Sequence, residues 1–133
     1  MELKVCSSIG ECKEFVENKL NELEREAEIV AGVLESIDEK AASFEDLKKV
    51  LGGEMADAFY KVEKGSVKVF VQPNPVLMKD ELKRRAEELA KLIEIFRQLS
   101  EIMSKLYEGL GDVQGSVLIS ADEQGGKLFI SLG

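Results

Sequence analysis

Two carboxylate pairs and one basic cluster are the residues of this 133-residue chain whose types and spacing suggest chemistry. The pairs are Glu14-x-x-Glu17 and Glu35-x-x-Asp38. Carboxylates three residues apart share a helix face and suit a hard divalent cation such as magnesium. The cluster is Lys79, Lys83, Arg84 and Arg85. It comes after Pro73-Asn74-Pro75, where a β-type run gives way to a helical one. A helix N-terminus there would offer backbone N–H groups to a phosphate or carboxylate.

Each candidate has a plainer reading. The acidic pairs resemble the loose ExxE…ExxD pattern of MazG-type nucleotide pyrophosphatases, all-helical enzymes that bind magnesium. In that family the two pairs converge from different helices. Here one unbroken heptad pattern holds both, about 30 Å apart along a helix, so a solvated acidic face explains them better. The basic cluster comes after a loop without glycine, and its two prolines lack N–H groups, so a phosphate-loop approach is not available. Those cations are expected to meet the acidic first helix instead.

Composition excludes more than it suggests. There is no His, which removes His-based acid–base and nucleophile chemistry and almost all zinc sites. Cys6 and Cys12 are the only cysteines and are expected to be reduced, partly buried thiols, with a disulfide or an inter-subunit metal site as the alternatives. No cofactor is implied. Lys and Arg number 18 against 26 Asp and Glu, a formal charge of −8. That acidity disfavours nucleic acid and anionic membranes, and no apolar run approaches the roughly 20 residues of a membrane span. The N-terminus lacks the pattern of a secretory signal, so a cytoplasmic location is expected. Abundant Glu and Lys with little Asn and Gln hints at a heat-adapted source.

The elements can be read from periodicity. Glu11 to about Ala41 carries Val16, Leu20, Leu23, Ala27, Val30, Leu34, Ile37 and Ala41 at alternating steps of four and three, the spacing of a helix packed along its length against another. Ser43 is expected to cap a second helix, broken at Gly52-Gly53 and resumed through "EMADAFYKV". Ser66 to Gln72 reads as a strand. A long helix from about Met78 to Gly109 carries Leu82, Ala86, Leu89, Ile93, Phe96, Ser100, Met103, Tyr107 and Leu110 at the same spacing. Beside that stripe lie Leu92, Ile95, Leu99, Ile102 and Leu106. Ser116–Ala121 and Lys127–Leu132 read as a hairpin around Gly125-Gly126.

These elements predict an α+β fold in one domain, residues 1–133. Two long antiparallel helices and a short broken helix would pack with a small antiparallel sheet ending in a C-terminal β-hairpin. The sheet is expected to use Ser66–Gln72 with that hairpin, and Met1–Val5 could add a further strand. The doubled apolar stripe of Leu92, Ile95, Leu99, Ile102 and Leu106 suggests an interface. The function expected is a non-enzymatic oligomerising or partner-binding protein, most simply a homodimer. The alternative is a small carboxylate and metal-dependent enzyme or anion-binding domain. A third reading takes "SFEDLKKVLGGEMADAFYKVEKGSVKVFV", which superficially resembles a winged helix-turn-helix. Its would-be reading helix, Glu54 to Val62, offers only Lys61 as a cation, which disfavours a major-groove role.

Overall fold

A computed structural model describes residues 2–53 and 56–132; Met1, Glu54, Met55 and Gly133 lie outside the described residues. The chain is α+β. The elements run β1 (Glu2–Ser8), α1 (Ile9–Leu51), β2 (Ala58–Lys64), β3 (Val67–Pro73), α2 (Pro75–Leu110), β4 (Gln114–Asp122) and β5 (Gly125–Leu132). The two long helices pack together as a helical hairpin, and the chain ends in the β4–β5 hairpin. Contacts divide the chain into two compact units, residues 1–28 with 87–133, and residues 29–86.

The first unit contains most of the core. Of the seventeen buried apolar residues among those described, thirteen lie in it. Val16 and Leu23 of α1, Leu89, Ile93, Phe96 and Met103 of α2, and Val117, Ile119 and Ala121 of β4 are all buried. Their spacing explains the elements: seven-residue steps on α1, steps of three, four and seven on α2, and two on β4. The sheet order is β1-β4-β5, antiparallel throughout. A Cβ added to Gly126 on β5 would sit 3.1 Å from Ile95 Cγ2 and 3.5 Å from Leu99 Cδ1. The second apolar stripe of α2 is therefore met by the sheet of its own chain.

The junction of β1 and α1 is closely bonded. Ser8 is the N-cap of α1, its Oγ accepting from the Glu11 N–H at 3.1 Å. Glu11 in turn accepts from both the N–H and the hydroxyl of Ser7. Ile9 N–H donates to the Val113 carbonyl, and Gly10 N–H to Asp112 Oδ1 at 2.8 Å. Cys6 and Cys12, both buried, are joined by a disulfide. The expectation of two reduced thiols is thus corrected. Strand and helix reverse on one another here and bring the Cα atoms within 5.6 Å, inside bridging range.

Three expectations fail around residues 43–73. Ser43 starts no new helix: α1 continues to Leu51, and the Ser43 hydroxyl donates back to the Glu39 carbonyl, four residues earlier. The glycine break at Gly52-Gly53 is real, with both at positive φ, but the next element is a strand. Ala58–Lys64 pairs with Val67–Pro73 across a two-residue Gly65-Ser66 turn, with Gly65 at φ 61°. Glycine first in such a turn is the II′ hairpin signature. Finally, Ser66–Gln72 does not join the C-terminal hairpin: β3 pairs only with β2, in a separate two-stranded sheet. The β4–β5 turn is also displaced, to Glu123-Gln124, where Asp122 Oδ1 accepts from the Gln124 and Gly125 N–H groups.

Candidate functional site

The second unit, residues 29–86, contains the most unusual surface. Its buried apolar residues among those described are Val30, Ile37 and Ala41 of α1 and Pro75 at the start of α2. Its hairpin presents two faces of different character. Opposed residues in an antiparallel pair share a face. The pairs Tyr60↔Val71 and Val62↔Val69, with Val67 opposite Lys64, give one face five large apolar side chains. These five are between 38% and 60% exposed. The opposite face carries Phe59, Lys61, Glu63, Lys68, Phe70 and Gln72.

Lys61 is the paired centre of the mixed face. Lys61 Nζ lies 5.4 Å from the centroid of the Phe70 ring, 3.4 Å from Glu63 and 3.8 Å from Asp57. Phe70 shares a cleft of about 250 Å³ with Pro73, Leu77, Met78 and Glu81 at the start of α2. Phe59 and Gln72 line another with Phe44 of α1. Ala58 and Pro73 of the apolar face line these clefts too, Phe59 is 89% exposed, and beyond its base the hairpin is exposed on both faces apart from half-buried Phe70. An ordinary two-stranded hairpin in water is only marginally stable, and stable ones bury their apolar face. This one leaves its apolar face exposed. Both strands are also sheet edges with unpaired backbone groups.

The corner between β3 and α2 is a capped turn. Asn74 is the N-cap, its Oδ1 accepting from the Val76 N–H at 2.9 Å, and Pro75 sits at the first helical position. Asn74 also donates its own N–H to the Asp57 carbonyl, tying α2 to the base of β2. Two cations of the basic cluster have carboxylate partners. Lys79 pairs with Asp38 of α1 and Arg84 with Glu81 of its own helix. The Lys79 hydrogen bond holds the Asp38 carboxyl below its ordinary range, helped by the charges of Lys79 and Lys83. Asp38 correspondingly raises Lys79. Lys83 is exposed and Arg85 half-buried on the same turns.

The acidic pairs fall in different units. Glu14 and Glu17 lie on the first part of α1, where Glu17 pairs with Lys13 at 2.8 Å. Glu35 and Asp38 lie beyond Gly32, through which α1 runs unbroken. Among the described residues no three His, Cys, Asp or Glu side chains gather where they could hold a metal ion. Of the stripe Leu92, Ile95, Leu99, Ile102 and Leu106, Leu99 is buried, Ile102 is exposed, and the other three are half-buried.

Sequence reasoning missed β2 and so missed the hairpin. The signal was present: Phe59, Tyr60 and Val62 are strand formers, and Gly65-Ser66 between two such runs marks a hairpin. Reading "EMADAFYKV" as the continuation of a helix masked it. Comparison with known proteins finds no matching family model, no similar curated protein and no similar solved structure.

Proposed function

We propose that the chain is a non-enzymatic interaction module that oligomerises or holds a protein partner through the apolar face of its β2–β3 hairpin. The observation that carries this is the exposure of that face. Tyr60, Val62, Val67, Val69 and Val71 lie side by side on it, each between 38% and 60% exposed. Apolar surface gathered on one face marks interaction sites. The enzyme and anion-binding alternatives draw on Glu14, Glu17, Glu35 and Asp38 and on Lys79, Lys83, Arg84 and Arg85, of which Glu17, Asp38, Lys79 and Arg84 are paired with side chains of opposite charge.

A cytoplasmic setting belongs to the same reading. Intracellular disulfides persist in heat-adapted organisms, which the Glu- and Lys-rich composition favours as the source. No helix among the described residues is long and apolar enough to cross a membrane. The test is a photo-crosslinking amino acid at position 69, compared with one at exposed Lys91. A polypeptide adduct from position 69 and none from position 91 supports the reading. No polypeptide adduct from position 69 at cellular concentration defeats it.

A further inference from the structure

We infer that β5 is a pairing edge for a second copy of this chain: two β5 strands join antiparallel about a two-fold axis through Phe129 and make one six-stranded sheet. This edge lies in the first unit, and the inference is independent of the hairpin-face reading.

β5 is an outer strand of the β1-β4-β5 sheet. An open edge offers unpaired N–H and C=O groups to another chain, and proteins blunt such edges with charges, proline or bulges. The other strand edges of this fold are blunted. β1 carries Glu2 and Lys4, its register shifts between Cys6 and Ser8, and the Ser7 N–H is taken by Glu11. β2 carries Lys61, Glu63 and Lys64, while β3 carries Lys68 and ends in Pro73 behind Gln72 at positive φ. β5 has one charge, Lys127, and stays in register with β4 from end to end. Among the described residues no backbone hydrogen bond from outside the sheet reaches it.

The turn fixes which of its groups are free. Asp122 and Gly125 pair across a two-residue turn. Such a pair is hydrogen-bonded and the pattern alternates along the ladder, so Gly125, Lys127, Phe129 and Ser131 bond to β4. Gly126, Leu128, Ile130 and Leu132 turn their N–H and C=O groups to the open edge.

The exposed side chains fit an antiparallel copy. On the helix side of β5, the Gly126 end borders Ile95 and Leu99 of α2. Further along the same side Ile130 is 37% exposed, although its β4 neighbour Val117 is buried. Antiparallel pairing brings the Gly126 end of one copy, with its helix, beside the Ile130 end of the other. On the outer side Phe129, 54% exposed, meets its own counterpart across a non-hydrogen-bonded site, where aromatic pairs are favourable. Charge selects the register. With the axis at Phe129, Leu128 lies opposite Ile130, Lys127 lies opposite Ser131, and the two lysines are about 14 Å apart along the strands. Moving the axis to Leu128 would bring them to about 7 Å, and moving it to Ile130 would shorten the paired stretch. The Phe129 register pairs residues 126–132 of both copies through about eight main-chain hydrogen bonds, the source of affinity when a strand adds to a sheet edge.

Sedimentation of the full chain at rising micromolar concentration is the experiment, with circular dichroism to show that each variant stays folded. The wild type should pass from monomer to dimer. Ile130→Pro removes one outward N–H and no bond to β4, so it should stay monomeric throughout. Phe129→Lys sets two cations face to face at the axis and should weaken association about ten-fold. Phe129→Cys, oxidised with glutathione disulfide, should give a covalent dimer, since paired Cα atoms at such a site lie about 4.5 Å apart. Ser131→Cys should give none by itself but should join to Lys127→Cys when the two are mixed. A wild type monomeric at every concentration overturns the inference. So does a dimer that survives both Ile130→Pro and Phe129→Lys, or a covalent dimer formed equally well by Ser131→Cys alone. The position-69 crosslink reads the hairpin face separately, so either claim can fail without the other.

Discussion

The Gly10 N–H and the Asp112 carboxylate meet at 2.8 Å, joining the first turn of α1 to the residues just after α2 across 102 positions of sequence. This carboxylate occupies the place at a helix N-terminus where an external anion would otherwise bind. The neighbouring N–H groups of Ile9 and Glu11 are taken by the Val113 carbonyl and the Ser8 hydroxyl. The start of α1 is thus a closed structural joint.

Alanine at position 10 should break this joint. Its Cβ would lie 2.6 Å from Asp112 Oδ1, closer than real Cβ contacts come. Asp112→Ala removes the same hydrogen bond without the clash and should cost about 1 kcal/mol, the usual worth of a cap. Gly10→Ala should cost at least as much, and the double variant should cost less than the sum because the two share one contact. Urea unfolding of the three variants measures this.

Reducing the Cys6–Cys12 bond should lower stability by about 2 kcal/mol on the chain-entropy estimate for so short a loop. The bridged residues are six apart and both buried. A thermal melt with and without a thiol reductant, repeated on Cys6→Ala/Cys12→Ala, provides the check. The reductant should have no effect on the variant.

Acid should destabilise the protein through Glu11 and Asp38. Hydrogen bonds from the Ser7 N–H and hydroxyl hold the Glu11 carboxyl low, and Lys79 does the same for Asp38. A carboxyl lowered on folding contributes stability above its unfolded pKa, and that contribution is lost as pH falls through the folded value. The wild-type melting temperature should therefore exceed that of Glu11→Gln at neutral pH, and the gap should close in acid. For Asp38→Asn the gap should also shrink in high salt, since that ion pair is exposed.

Gln72 should be improvable. Its φ is 53°, and it is the one non-glycine residue at positive φ among the described residues. Left-handed backbone favours glycine, so Gln72→Gly should be neutral or stabilising by up to about 1 kcal/mol. A loss larger than that in chemical denaturation would show that the Gln72 side chain, which lines the cleft with Phe44 and Phe59, contributes more than its backbone costs.

The long helices were legible because periodicity is a local property. Val16, Leu23, Val30 and Ile37 declare one heptad position by their spacing, and each is buried. Leu89, Ile93, Phe96 and Met103 do so on α2, and Val117, Ile119 and Ala121 declare a half-buried strand by alternation. The strands of the β4–β5 hairpin and the corner at Pro73-Asn74-Pro75 were legible for the same reason, since alternation and proline act over a few residues, but the hairpin turn lies at Glu123-Gln124 and not at Gly125-Gly126. Composition, with no His, excluded His-dependent chemistry outright.

Only the tertiary structure could decide the rest. The Gly65-Ser66 turn marks β2 as a local partner of β3, but that β3 stays apart from the C-terminal hairpin depends on which edges meet in the fold. The same holds for the meeting of Cys6 with Cys12, of Gly10 with Asp112, and of Lys79 with Asp38, each set by how the chain reverses. The apolar residues of the hairpin read in sequence as one more strand to be buried. That Tyr60, Val62, Val67, Val69 and Val71 share one face depends on the β2–β3 register, and that they stay exposed depends on what the fold packs against them, because burial is a property of the folded neighbourhood, not of the residue.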